Sequence, residues 1–175
     1  FDTAIECYKN ALRVNPNYAA IYNNLGNVFK ETGEIKLAEN NYKQAIKIKP
    51  NYAEAYYGLG LTLEKKEEFS SAIINYENAL INKPNYPEVF FNLGNVYRKS
   101  GDYKLAIKYY KNAIKFKKDY YEAYCNLGNS KKDLGDVKSA KFYYKKALKI
   151  NPKDFETMWN MHGVSFSIEE AIKWL

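Results

Sequence analysis

Pairs of asparagines recur along this chain at a spacing that would place both amides on one face of a helix. The members of each pair are three positions apart, and equivalent pairs are separated by multiples of 34 residues: Asn24 and Asn27, Asn92 and Asn95, Asn126 and Asn129. Residues three apart are neighbours on a helix surface. A carboxamide both donates and accepts hydrogen bonds, so a row of them suits the main chain of a peptide without reading its side chains. The pattern therefore indicates polypeptide binding.

Compositional bias offers a second explanation for the same asparagines. In a helix, asparagine is about 0.6 kcal/mol less favourable than alanine, so its recurrence on an exposed face is not expected from stability alone. The chain has 20 asparagines, however, and Asn40, Asn41, Asn75 and Asn78 fall outside the pattern. A general excess of asparagine would supply the residue anywhere. Peptide binding and compositional drift both remain open at this point.

The residue types that carry out catalysis or bind metals are not arranged for either. His162 is the only histidine, and Cys7 and Cys125 have neither disulfide nor zinc-ligand spacing. The sequence contains no pattern of paired carboxylates, no nucleophile beside a histidine and no phosphate-binding glycine loop. We expect no enzyme, no metal and no other cofactor. Unpaired cysteines fit a reducing compartment, and no apolar run approaches the ~20 residues that span a bilayer, so a cytoplasmic protein is predicted.

The asparagine pairs belong to a repeat that extends along the whole chain. Leucine–glycine pairs, alanines and tyrosines recur every 34 residues, as in Leu25-Gly26, Leu59-Gly60, Leu93-Gly94 and Leu127-Gly128. A fixed period of this size indicates an array of small units rather than one globular core. The phase predicts a half repeat over 1–18, full repeats over 19–52, 53–86, 87–120 and 121–154, and a degenerate repeat over 155–175. We expect the array to continue in a longer chain, or its ends to associate with other copies.

Each full repeat contains two helical patterns. Over residues 20–32, apolar residues recur at the spacing of a helix with one buried stripe, and Gly33 then marks a left-handed turn. Residues 35–48 form a second pattern that would bury Ala38, Tyr42 and Ala45. Asn51 with Glu54 resembles a capping box for the next helix. The sequence thus predicts an all-α superhelical solenoid of antiparallel helix hairpins.

The repeat resembles the tetratricopeptide repeat (TPR) family. In the 19–52 repeat the matching residues are Tyr22, Leu25, Gly26, Phe29, Ala38, Tyr42, Ala45 and Pro50. The 87–120 repeat matches at Phe90, Leu93, Gly94, Tyr97, Ala106, Tyr110 and Ala113. The asparagine–leucine–glycine motif is similar to the superhelical TPR arrays of O-linked N-acetylglucosamine transferases. Two departures, Glu67 for the turn glycine and Lys118 for the proline, are expected to loosen their turns.

The resemblance implies that the first helix of each repeat lines a concave groove that receives a peptide or a partner helix. The predicted groove residues are Asn23, Asn24, Asn27, Glu54, Tyr57, Glu88, Phe91, Asn92, Asn95, Arg98, Glu122, Asn126 and Asn129. Because Glu54, Glu88 and Glu122 would repel a terminal carboxylate, the clamp of TPR co-chaperones for acidic chaperone tails is not expected.

We therefore predict a protein-interaction scaffold whose partner is a protein or peptide. The alternative is a non-catalytic segment of a larger enzyme, such as a glycosyltransferase, that presents substrates to a neighbouring domain. Nucleic acid is not the expected partner, because the periodic positions of most of the 18 tyrosines explain them as packing residues. Residues 98–153 hold 16 Lys/Arg and 5 Asp/Glu, which we interpret as a solvated basic surface.

Overall fold

The computed structural model describes residues 1–165, which contain ten helices and no strand. The chain divides into two compact units, Phe1–Asn85 and Tyr86–Leu175. The helices of the first unit are α1 (Asp2–Val14), α2 (Ala19–Glu31), α3 (Ile35–Ile48), α4 (Ala53–Lys65) and α5 (Phe69–Asn82). Those of the second unit are α6 (Pro87–Lys99), α7 (Tyr103–Phe116), α8 (Tyr121–Asp133), α9 (Val137–Ile150) and α10 (Phe155–Ser165).

In the first unit, consecutive helices pack as hairpins, α2 against α3 and α4 against α5, and α3 also packs against α4. The second helix of each hairpin buries an alanine–tyrosine–alanine series, which is Ala38, Tyr42 and Ala45 in α3. The tyrosine ring lies so close to the first helix that a Cβ atom on Gly26 would stand 2.7 Å from it. The predicted burial of Ala38, Tyr42 and Ala45 is therefore confirmed, and the two helices approach each other closely at small residues.

The second unit repeats this packing in the α6–α7 and α8–α9 hairpins, with α7 against α8 and α9 against α10. Tyr110 and Tyr144 are its fully buried tyrosines, each between two buried alanines of the same helix. The first helices also lie side by side, because α8 contacts both α6 and α10. A first helix in this unit is thus covered on two sides, by its own hairpin partner and by the next first helix.

The turns within the hairpins keep one geometry whether or not glycine is present. Gly33, Gly101 and Gly135 have φ of 85°, 79° and 77°, and Glu67 has φ of 62°. The Glu68 amide donates to the Leu63 carbonyl at 3.0 Å, as the Glu34 amide donates to Phe29 at 2.8 Å. The expectation that Glu67 loosens its turn is therefore wrong. The left-handed conformation instead imposes a backbone cost on a residue with a Cβ atom.

The connection around Lys118 is also unchanged in form. Helix α7 has 14 residues, as α3 and α5 do. The Tyr120 amide donates to the Lys117 carbonyl at 3.3 Å, which matches the bond from Tyr52 to Lys49 at 3.1 Å. A hydrogen bond that uses the main chain alone does not require proline at this place, so the expected loosening is absent here too.

The predicted capping box of Asn51 with Glu54 is wrong. The residues that precede α4, α6 and α8 are tyrosines, and none of them makes a side-chain cap hydrogen bond. In α8 this residue, Tyr120, is buried and its ring lies 4.9 Å from that of Phe91. At the start of α8, packing rather than capping therefore explains the tyrosine. Helix α10 agrees with a first helix in the degenerate repeat. The sequence also predicts a capping box of Ser167 with Glu170 after it, and this pair lies outside the described residues.

Candidate functional site

The second asparagine of each pair accepts a hydrogen bond from a buried tyrosine. The Tyr hydroxyl donates to the asparagine Oδ1 at 2.7 Å from Tyr42 to Asn27, 2.8 Å from Tyr110 to Asn95 and 2.7 Å from Tyr144 to Asn129. A buried hydroxyl needs a partner, since leaving it unpaired is costly. These asparagines therefore have a structural role, and stability gives a reason for their recurrence that the sequence alone did not show.

The 53–86 repeat interrupts the asparagine pattern for two local reasons. Leu61 occupies the place of the second asparagine, and the Tyr76 hydroxyl donates instead to Glu64 Oε2 at 2.9 Å. Burial raises the pKa of Tyr76, and the charge of Glu64 raises it further. Gly58 occupies the place of the first asparagine, where an added Cβ atom would stand 2.4 Å from the Tyr42 ring. A side chain at residue 58 would therefore require the Tyr42 ring to shift.

In the second unit the asparagine amides are connected to one another. Asn126 Nδ2 on α8 donates to Asn95 Oδ1 on α6 at 2.9 Å, and Asn95 Nδ2 lies 3.4 Å from Asn92 Oδ1. Asn95 Oδ1 therefore accepts from both Tyr110 and Asn126. The buried tyrosine orients Asn95, and Asn95 orients Asn126. We call Asn92, Asn95 and Asn126 the amide row.

Two of the asparagines that the sequence predicts to lie on an exposed face are buried. Asn23 and Asn129 are only 7% and 5% exposed. Asn23 Oδ1 makes no hydrogen bond within residues 1–165. The same row of the repeat holds Cys125, which is also buried, and Phe91, which packs on Tyr110 and Tyr120. The expectation that Asn23 lies exposed is therefore wrong, because α2 also packs against the next first helix of its unit, α4.

The other predicted residues remain at least partly accessible. Asn27, Glu54 and Glu122 are exposed, and the half-buried ones are Asn24, Tyr57, Glu88, Phe91, Asn92, Asn95, Arg98 and Asn126. Two of the charged residues form ion pairs: Glu54 with Lys83 at 3.1 Å, and Arg98 Nε with Asp133 Oδ2 at 3.2 Å. The second pair joins α6 to α8. Exposed pairs of this kind contribute at most about 1 kcal/mol to stability.

A cavity of about 210 Å³ lies beside the amide row in the second unit. It is lined by Phe91, Tyr121, Glu122, Cys125, Asn126, Asp154 and Glu156. Phe91, Glu122 and Asn126 were predicted from the sequence, but Glu156 was not. The 34-residue period could have predicted Glu156, since it follows Glu122 by 34 residues.

The remaining chemistry of the described chain is limited. Within residues 1–165, no group of three or more His, Cys, Asp or Glu side chains is placed to hold a metal ion. Among the same residues, no helix is both long and apolar enough to cross a membrane.

Helix hairpins that repeat every 34 residues and stack through their first and second helices define the α-solenoid class. A model described as "TPR repeat" matches residues 1–33, 26–67 and 94–135. Models described as "Tetratricopeptide repeat" match residues 53–86 and 121–154, and residues 75–108. The chain belongs to the tetratricopeptide repeat family.

Solved structures agree with this fold. A crystal structure of MamA is 30% identical with a TM-score of 0.80, over 87% of this chain and 89% of that one. YrrB, described as a TPR protein with an unusual peptide-binding site, is 25% identical with a TM-score of 0.80, over 95% and 86%. Pseudomonas aeruginosa pilF, at 22% identity and a TM-score of 0.79 over 88% and 70%, shows the fold alone. No curated protein sequence matches the chain.

Proposed function

We propose that this chain is a protein-interaction scaffold that binds an extended peptide along the first helices. In the second unit the binding face consists of the accessible side chains of α6, α8 and α10. The amide row carries this proposal. It lies on that face, and Tyr110 holds it in a defined orientation through Asn95. Groups held in place before binding lose less conformational freedom when a ligand arrives.

Asn126 is the member of the row best suited to grip a peptide main chain. A carboxamide has two N–H groups and an acceptor oxygen. Within the described residues, the Asn126 side chain uses one N–H, toward Asn95. The second N–H and the carbonyl oxygen are left for a peptide amide, and Asn126 also lines the cavity. YrrB, which has the same fold, is described as having a peptide-binding site. This supports a peptide as the partner.

A random peptide library displayed on phage tests the proposal without a known partner. Peptides selected on the chain are synthesised, and their dissociation constants are measured by fluorescence anisotropy. Asn126→Ala should weaken binding by about three- to tenfold, the equivalent of one net hydrogen bond. Asn112→Ala on α7 is the control, because Asn112 lies on a second helix.

Selected peptides that bind Asn126→Ala as tightly as the unchanged chain would contradict the proposed face. Equal weakening by Asn112→Ala would contradict it as well. The alternative of a substrate-presenting segment within a larger enzyme uses the same face and predicts the same outcome.

A further inference from the structure

We infer that the cavity beside the amide row receives one lysine or arginine side chain of the bound peptide. This inference rests on the proposed function and assigns a chemistry to one place on that face. Two aromatic rings, Phe91 and Tyr121, form part of the wall. Glu122, Asp154 and Glu156 supply three carboxylates to the same cavity. Its lining contains no lysine or arginine.

The sign of the charge in the cavity opposes the net charge of the chain. The chain has a net charge of +7, and residues 98–153 hold 16 Lys/Arg against 5 Asp/Glu. Within residues 1–165, Glu122 and Glu156 form no ion pair with these lysines. The carboxylates of the cavity therefore carry a charge opposite in sign to that of the chain as a whole. A peptide attracted by the overall charge would be acidic, so a preference for a basic residue must arise locally.

The protonation of two neighbouring side chains agrees with a negative local potential. Burial raises the pKa of the Cys125 thiol, and the charges of Glu156 and Asp154 raise it further. The charge of Glu122 raises the pKa of Tyr121. Both groups are therefore held in their neutral forms, so neither adds a negative charge of its own. Among the side chains that line the cavity, only the carboxylates therefore carry a charge.

Shape and chemistry select a basic side chain over other cations. The volume of about 210 Å³ equals that of about seven water molecules at roughly 30 Å³ each, which leaves room for one long side chain. Lysine and arginine bury their apolar stems against rings while their charged heads remain near acceptors. Cations also bind favourably over aromatic faces. Asn126 at the rim would hold the peptide main chain while the side chain enters the cavity.

The two glutamates are the appropriate residues to change. Asp154 accepts the Thr157 amide at 3.0 Å at the start of α10, so replacing it would disturb the helix. Glu122 and Glu156 are exposed, and neutral glutamine keeps their size. The test variant is therefore Glu122→Gln with Glu156→Gln. The matched control is Glu77→Gln with Asp119→Asn, which removes two exposed carboxylates outside the cavity.

The same displayed random library provides the probe. Peptides selected on the unchanged chain should be enriched in lysine or arginine at one position. Replacing that residue with norleucine, which keeps an apolar stem and removes the charge, should weaken binding at least tenfold. On the double glutamine variant the two peptides should bind within about twofold of each other. The control variant should keep the tenfold difference in affinity between the basic peptide and its norleucine derivative. Added salt should reduce this difference in the unchanged chain.

Two outcomes would overturn the inference. One is a set of selected peptides without a basic position, and the other is a norleucine effect that persists in the double glutamine variant. Either result leaves the proposed function standing if Asn126→Ala still weakens binding. If Asn126→Ala has no effect either, the proposed function fails with it.

Discussion

Removing the hydroxyl of Tyr144 should lower the free energy of unfolding by about 1–2 kcal/mol, whereas the same change at Tyr42 should cost about 0.5 kcal/mol or less. Both hydroxyls donate to an asparagine at 2.7 Å. The difference lies in the acceptors. Asn129 is 5% exposed, so Tyr144→Phe leaves its oxygen buried without that donor. Asn27 is exposed, so water replaces the hydroxyl of Tyr42.

Urea unfolding followed by circular dichroism measures both costs, provided that the slopes of the unfolding curves agree. Coincident curves from near-ultraviolet circular dichroism, which reports the packing of the buried tyrosines, check the two-state treatment, which long repeat arrays can violate. Asn129→Leu, which copies Leu61 of the 53–86 repeat, completes a double-mutant cycle with Tyr144→Phe. The double variant should cost about 1 kcal/mol less than the sum of the single ones. A cost for Tyr42→Phe equal to that for Tyr144→Phe would refute the reasoning.

The remaining predictions concern the turn, the core and the ends. Glu67→Gly should raise the free energy of unfolding by about 1 kcal/mol, because a φ of 62° costs energy in a residue with a Cβ atom. A urea midpoint that does not rise would contradict this expectation. Leu93→Ala should lower the free energy of unfolding by about 2–5 kcal/mol, since Leu93 is fully buried. Lys111→Ala should change it very little, since Lys111 is exposed. Equal melting temperatures for the two variants would contradict the assigned faces. End-to-end association stays a prediction, which sedimentation at several concentrations checks.

The helices were predictable because their signals are local. The second helix expected over residues 35–48 coincides with α3, and the glycine turns lie where the pattern placed them. The Tyr–Asn hydrogen bonds were not predictable, although each joins residues 15 apart. Whether a hydroxyl meets an amide depends on how the two helices pack. Sequence periodicity gives the face of a residue but not this distance.

The candidate site was predicted in part, for a similar reason. A helical projection shows which residues share a face but not how many neighbours cover the helix. Asn23 therefore looked exposed although it is buried. Asp154 and Tyr121 join the cavity through packing at the starts of α10 and α8. A pattern confined to helix faces does not include such residues.

The central claim is that a peptide binds along the first helices, and a nuclear magnetic resonance titration tests it most directly. The tightest selected peptide is added to the ¹⁵N-labelled chain, and ¹H–¹⁵N spectra are recorded at each step. The account predicts that the side-chain amide of Asn126 shifts together with main-chain amides of α8 and of the first turn of α10. Shifts concentrated on α7 and α9, with the Asn126 amide unmoved, would contradict it.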